Sequence, residues 1–273
     1  MNNRDYNYVI SELRKFFDSE GFTEVECQST QSILSACEDP KSVVTYQMDG
    51  LVWPNKQTNQ MELEKILLKN PELEKVYCVT TSYRDEMRVE EGRHLKIFPM
   101  FEFESRGNFE DLKKLEIRLV KHLGIADDMV EMYYDMIVAK YQDKHVTSDI
   151  ERKISEDISN SMMITRFPRY TNPFWNMAEY ENDKNFFKKS DVILHGMETI
   201  GSAERSRSES DMYNNFYSIC DGEYAEILFH KFGKDRVLRE LDAFLSLSMI
   251  ERFGGGIGIS RLVRSLRLKG VIK

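Results

Sequence analysis

Apolar residues recur at helical intervals at the start of the chain. In "NYVISELRKFFDSEGF" the positions of Val9, Ile10, Leu13, Phe16 and Phe17 predict an amphipathic helix, with Gly21 as its stop. "FTEVEC" then alternates as a strand, and "ACEDPKSVVTYQMDGLVWPNKQ" reads as loop and short strands broken by Pro40, Gly50 and Pro54. "TNQMELEKILLKN" returns to the helical period, with Thr58 or Asn59 as cap and an end before Pro71. "KVYCVTTSYR" and "IFPMFEFES" are rich in β-branched and aromatic residues and predict two antiparallel strands, with "DEMRVEEGRHLK" as the loop between them. "FEDLKKLEIRLVKHLGI" predicts a helix, and further helix is expected between Asp127 and Ser161. "SDVILHG" predicts a strand, and "GEYAEILFHKFGKDRVLRELDAFLSLSM" is largely helical in pattern. "ERFGGGIGISRLVRSLRLKG" reads as a strand end, a glycine turn and a helix. Strands separated by varied loops and helices favour an α+β fold over a strict βαβ alternation.

Composition narrows the functional classes. The 273 residues suit one large domain, and at 41% hydrophobic the chain can bury a sizeable core. A formal net charge of -8 argues against coating nucleic acid by bulk attraction. Cys27, Cys37, Cys78 and Cys220 form no CxxC pair, so no zinc or thioredoxin-like site is signalled, and scattered thiols suit a reducing cytoplasm. The N-terminus lacks the apolar stretch of a signal peptide, and no apolar run is long enough for a membrane helix.

Two segments carry candidate chemistry. Arg84 stands at a strand end, Arg93 and His94 return from the loop, and Phe98 lies on the second strand. Arginine is the side chain suited to two-point phosphate binding, and an aromatic face beside it can stack on a base. "GGGIGISR", Gly254 to Arg261, can bring backbone close to a ligand and aim a helix N-terminus at negative charge. Alone, it reads equally well as a tight helix entry. It is neither a Walker loop nor a GxGxxG dinucleotide turn.

Together these segments resemble a known family. "SYRDEMRVEEGRHLKIFPMFEFE" is similar to the second signature motif of class II aminoacyl-tRNA synthetases of the aspartyl/asparaginyl/lysyl subgroup, and "GGGIGISR" is similar to the third. "FPRYTNPFWNMA" and "SDVILHGMETIGSAER" resemble further segments of that subgroup; "SACEDP" and "NQMELE" resemble stretches of its asparaginyl members. The resemblance covers nearly the whole chain and implies one catalytic domain over 1–273, an antiparallel sheet flanked by helices. It implies ATP as substrate, Mg2+ as cofactor and activation of an amino acid as its adenylate.

The resemblance also assigns residues. Arg84 would bind the α-phosphate and stabilise the charge that develops there, a large term in such transfers. Glu86 would sit beside the adenine, with Arg93 and His94 at the β- and γ-phosphates. Phe98 and Arg261 would cover the two faces of the adenine, and Gly256 and Gly258 would lie against the nucleotide. Asp191 and Glu198 match the carboxylates that hold magnesium, which prefers hard oxygen ligands. Glu38 and Gln60 match positions that receive the α-ammonium, Arg205 the arginine that receives the substrate side chain, and Glu102 and Glu104 pocket acids.

Several positions depart from the family pattern. Leu63 stands where aspartyl members carry lysine, as in asparaginyl members, and Ile97 replaces a glutamate. Asp39 and Pro40 replace a small pair, and Gln28 replaces the proline of the first motif. No segment of the sequence matches the family's anticodon-binding barrel. The resemblance is therefore nearest to asparaginyl-tRNA synthetase and to its asparagine-synthetase-like paralogues lacking that domain. The expected substrate is aspartate or asparagine, with ammonia or another small amine as acceptor; tRNA is a possible but less favoured one. A tRNA ligase and a catalytically silent regulatory relative are the alternatives. A cytoplasmic homodimer through the N-terminal helix and strand completes the expectation.

Overall fold

A computed structural model of the chain describes residues 1–27, 30–34, 39–86 and 90–273. The first helix, α1 (Asn3–Ser19), starts where the Asn2 side chain accepts from the Asp5 N–H, and it buries Val9, Ile10, Leu13, Phe16 and Phe17 as its spacing predicts. The strand β1 (Thr23–Glu24) follows, then a small hairpin of β2 (Thr45–Met48) and β3 (Leu51–Pro54), and helix α2 (Gln60–Lys69). The long central hairpin is β4 (Lys75–Tyr83) and β5 (Ile97–Arg106), in an unbroken register from Lys75 opposite Ser105 to Tyr83 opposite Ile97.

Next comes α3 (Phe109–His122), which opens with a capping box in which Asn108 and Asp111 satisfy each other's backbone N–H groups. The expected helix between Asp127 and Ser161 is two helices, α4 (Tyr134–Tyr141) and α5 (Ser148–Asp157), behind a short strand β6 (Val130–Tyr133). The strands β7 (Ser161–Pro168), β8 (Glu179–Tyr180), β9 (Asp183–Leu194) and β10 (Met197–Glu204) follow, then helices α6 (Glu209–Ser218), α7 (Glu223–Phe232) and α8 (Lys234–Leu245). The chain closes with β11 (Arg252–Gly258) and α9 (Ile259–Lys269).

Among the described residues nine strands form one sheet in the order β1-β4-β5-β11-β10-β9-β7-β6, with β8 added to β9. Its pairings are antiparallel except β1 with β4 and β6 with β7 at the two edges. The fold is thus α+β, a mostly antiparallel sheet flanked by helices. On one face α1, α3 and α9 bury an aromatic-rich core against the sheet, in which the Tyr77 and Phe101 rings stack with centroids 4.8 Å apart. Helices α6 to α8 pack a second core around the fully buried Trp175.

The glycine run corrects one expectation. Gly254 to Gly258 are strand, paired on one side with Glu104 through Met100 of β5 and on the other, up to Ile257, with Ala203 through Ile200 of β10. The missing Cβ atoms serve close packing across the sheet. A Cβ on Gly254 would lie 1.7 Å from Glu104 Oε2, and one on Gly255 would lie 2.6 Å from Ser202 Cβ. Only the last residue, Gly258, acts as the helix entry, as the N-cap of α9.

Candidate active site

A cavity of about 590 Å³ opens above the middle of the sheet. The register decides what faces it. Along β9, Lys189, Asp191 and Ile193 alternate onto the cavity side; along β5, Phe98 and Met100 do the same. Asp191 lies opposite Gly201, Gly201 opposite Gly256, and Gly256 opposite Glu102, so two glycines leave the floor open between two acidic strands.

The structure brings all eight of the predicted nucleotide residues to this one cavity. Arg84 and Arg261 line it together, as do Glu86, Arg93, His94 and Phe98. The glycines Gly256 and Gly258 belong to its floor and far wall. Arg84 continues the hairpin register, its N–H donating to the Lys96 carbonyl at 2.7 Å, and its guanidinium lies 5.3 Å from the centre of the Phe98 ring. Its Nε is buried with no hydrogen-bond partner among the described residues. Arg261, on the first turn of α9, donates from Nη1 to the Glu198 carbonyl at 2.7 Å. His94 Nδ1 accepts from the Glu90 N–H at 3.2 Å, which holds the loop end in a turn.

The acids at the other wall form a cluster. Asp191 accepts from Lys189 Nζ at 2.6 Å through Oδ2, while Oδ1 is buried with no hydrogen-bond partner among the described residues. Burial pushes Asp191 up to about 7, with Glu198 and Glu151 adding to the effect and Lys189 opposing it. Sequence reasoning missed Glu151. It sits on the buried side of α5, pairs with Arg93 Nη2 at 2.5 Å and accepts from the Glu198 N–H at 2.6 Å. Burial first, then Glu198, raises its carboxyl. Its signal was a glutamate beside Ile150, in phase with Ile154 on the apolar face of a helix.

The predicted amino-acid residues are placed differently. Glu38 lies outside the described residues. Gln60, Glu102 and Arg205 lie beneath the cavity and do not line it. Arg205, in a run that reads as polar loop, is fully buried just past β10, where it bridges to Met177. Its guanidinium grips Glu104 at two points, 3.1 Å each, donates to Gln60 Oε1 at 2.9 Å and stands 3.6 Å from Glu64. Glu64 in turn holds Arg252 at 2.8 Å, also with no exposed side-chain surface. Sequence reasoning missed both Glu64 and Arg252. Glu102 accepts the Asn59 N–H at 2.9 Å, and burial pushes it up to about 7.

Behind the floor lies another acid that the sequence did not flag. Glu116 of α3 is buried against the back of the sheet and accepts from Ser202 Oγ at 2.6 Å and Ser190 Oγ at 2.8 Å. Burial pushes it up to about 8 against these two hydrogen bonds.

The carboxylate pair fits a hard divalent cation such as magnesium. Asp191 offers an unbonded buried oxygen toward a cavity that Glu198 also lines, and both donors are carboxylate oxygens. Among the described residues no helix is long and apolar enough to cross a membrane.

Comparison with solved structures gives the same fold. An asparaginyl-tRNA synthetase from Pyrococcus horikoshii complexed with asparaginyl-adenylate superposes with a TM-score of 0.78 at 21% identity, covering 97% of this chain and 65% of that one. One from Entamoeba histolytica, also in complex with asparaginyl-adenylate, gives 0.75 at 17% identity, covering 98% and 63%. A putative aspartyl-tRNA synthetase from Leishmania major Friedlin gives 0.74 at 15%, covering 96% and 61%. The chain therefore spans under two thirds of the length of these relatives. Comparison with curated proteins finds no match. The family of class II tRNA synthetases (D, K and N) matches residues 4–273, and the chain belongs to that family.

Proposed function

We propose that this chain activates the carboxyl group of an amino acid with ATP, forming an acyl-adenylate and releasing pyrophosphate. The observation that carries the reading is the joint placement of Arg84 and Arg261 with Asp191 and Glu198 around one cavity. Charge that develops on the α-phosphate is met by Arg84, which is held in place by the hairpin register. Arg93 and Arg261 supply further positive charge for the outgoing phosphates. Asp191 and Glu198 would hold magnesium, which when bound neutralises phosphate charge. Two of the similar solved structures hold an aminoacyl-adenylate, which agrees with this reading.

Aspartate or asparagine is the proposed acid, and a small amine, ammonia first, the proposed acceptor. The acid balance of the chain, at -8, favours a small acceptor over a polyanion. The second reading, transfer to tRNA, is favoured by the family itself. ATP–pyrophosphate exchange across the proteinogenic amino acids tests the adenylation. Aspartate with ammonia giving free asparagine supports the first acceptor, and aminoacylated tRNA supports the second. ATP binding without exchange for any amino acid overturns the adenylation reading.

A further inference from the structure

The loop of the central hairpin brings Arg93 and His94 to the cavity, and the hairpin of β9 and β10 brings Asp191 and Glu198. A third part of the chain stands between them. Ile150 and Ile154 of α5 are buried with Tyr134, Ile164 and Ile193 in one apolar cluster, which fixes how the helix sits, and Glu151 lines the cavity. A single oxygen, Glu151 Oε2, accepts from Arg93 Nη2 at 2.5 Å and from the Glu198 N–H at 2.6 Å. The Arg93 and Glu151 side chains keep only 6% and 9% exposure. The next residue of the helix, Arg152, holds Glu90 at 2.9 Å, and the Glu90 carbonyl accepts the N–H groups of Arg93 and His94 at 3.1 Å and 3.0 Å. Neighbouring residues of α5 thus hold both ends of this turn. The helix is also seated closely on the β9–β10 turn, where a Cβ on Gly196 would lie 3.2 Å from Arg152 Cα. On the far side Arg261 donates to the Glu198 carbonyl at 2.7 Å, so Arg93, Glu151, Glu198 and Arg261 form one continuous line of contacts.

We propose that Glu151 is a positioning residue that holds Arg93 and Glu198 in one fixed relation, so that the phosphates and the magnesium ion meet a single preformed site. Two effects oppose each other. An anion near the phosphates repels them, whereas an anion that fixes Arg93 removes the cost of ordering a long side chain when the nucleotide binds. The second effect wins, because the Glu151 charge is answered by a guanidinium 2.5 Å away and the pair is close to neutral at the distance of a ligand. Without Glu151, Arg93 would be a nearly buried cation lacking a carboxylate, and other placements of its loop would be favoured. The backbone bond acts on the metal side. The register of β10 on β9 shifts between Glu198 and Ile200, so strand pairing alone does not set the backbone at Glu198. Glu151 ties its N–H and Arg261 ties its carbonyl, and the Glu198 carboxylate starts from a fixed point. Glu151 itself touches no reacting atom in this scheme; it acts through Arg93 and Glu198.

This inference rests on the nucleotide reading of the cavity, and the test separates the two. ATP binding is measured by calorimetry, in EDTA and in saturating magnesium, for the unaltered chain, Glu151→Met, Glu151→Gln, Arg93→Met and the combination of Glu151→Met with Arg93→Met. Methionine fills the volume without a carboxylate oxygen, whereas glutamine keeps an oxygen for both N–H groups. We expect Glu151→Met to weaken metal-free ATP binding roughly tenfold, the worth of one charged hydrogen bond, and to reduce the tightening that magnesium brings. Glu151→Gln should restore most of both. The combined variant should bind metal-free ATP no more weakly than Arg93→Met alone, because Glu151 acts on the phosphates through Arg93. Affinity in Glu151→Met equal to or above that of the unaltered chain overturns the inference, the latter by making Glu151 a competitor for Arg93. Losses that add in the combined variant overturn it, as does a loss in Glu151→Gln as large as in Glu151→Met, which reports charge and not position. Should Glu151→Met fail to fold, Glu151→Asp takes its place, keeping the charge but withdrawing it by one carbon, and an unchanged affinity there overturns the inference equally. An unaltered chain that binds ATP with an affinity indifferent to magnesium overturns this inference alone. Absence of ATP binding to the unaltered chain overturns the nucleotide reading and this inference with it.

Discussion

The lining of the cavity and the layer beneath it hold their arginines in different ways. In the cavity lining Arg84 and Arg261 keep 23% and 25% of their side-chain surface, each stands 3.7 Å from one carboxylate, Glu86 and Glu198, and their further contacts are a ring face and a backbone carbonyl. Beneath the cavity Arg205 and Arg252 keep none, and their contacts include the carboxylates Glu104 and Glu64. Weakly neutralised cations at a surface are ready to exchange partners with a ligand. Fully neutralised ones inside specify which strands and helices meet. Similar residues in one chain therefore stand accessible to a ligand in one place and enclosed among their partners in the other.

The sharpest way to break this contrast is to remove one interior charge. Arg205→Met strips Glu104 of its two-point partner beside Glu64, and a loss of about 3–5 kcal/mol is expected in urea unfolding. A loss below about 1 kcal/mol would mean that the interior network contributes no architecture. The glycines over it give the next effect. Gly254→Ala drives a Cβ into Glu104, 1.7 Å away, and into the Phe103 carbonyl at 2.5 Å, so its melting temperature should fall by the equivalent of at least about 1–3 kcal/mol. Gly258→Ala meets nothing nearer than 3.6 Å and should melt close to the unaltered protein. Equal melting of the two variants would contradict the packing described for the glycine strand.

The lining arginines should behave in the reverse sense. Arg84→Ala and Arg261→Ala should each weaken ATP binding by about 1.5–3 kcal/mol in calorimetry while unfolding at nearly the same denaturant concentration. Full affinity in both would remove the nucleotide assignment. The last effect is graded with pH. Glu116 holds its proton in the folded state up to about 8, whereas in the unfolded chain it ionises near the ordinary glutamate value. Between those values the folded state binds more protons, so Glu116 subtracts stability as pH rises, by about 1.4 kcal/mol per unit for one proton. Above the folded value the loss levels off. Glu116→Gln should flatten this slope, gaining on the unaltered protein at pH 9 and not at pH 5. A slope unchanged by the substitution would reassign it to other buried acids.

Much of the fold was legible because its signals are local. The periods of α1, β4 and β5 place their buried faces correctly, and the hairpin register follows from them. The glycine run misled because its reason is not local: Gly254 and Gly255 are small on account of Glu104 and Ser202, which are distant in the chain and adjacent in the sheet. The same holds for the charges. Arg205 sits in a polar run, and only the crossing of β10, β11 and β5 with α2 encloses it with Glu104 and Glu64. Glu151 and Lys189 belong to the cavity because a helix and an inner strand from the middle of the chain turn toward it, which no motif spacing announces.

The position of β11 in the sheet has a consequence for synthesis. It separates β5 from β10, yet it follows all the other strands in the chain. While the polypeptide is being translated, β1, β4 and β5 can pair, and β6 to β10 can pair, but the two half-sheets share no strand. Each presents a long unsatisfied edge, at β5 and at β10, until the ribosome has released β11 to dock between them. Open edges of this kind template pairing with other chains. The nascent protein should therefore be most dependent on chaperones in the interval between completion of β10 and emergence of β11, some fifty residues later in the chain.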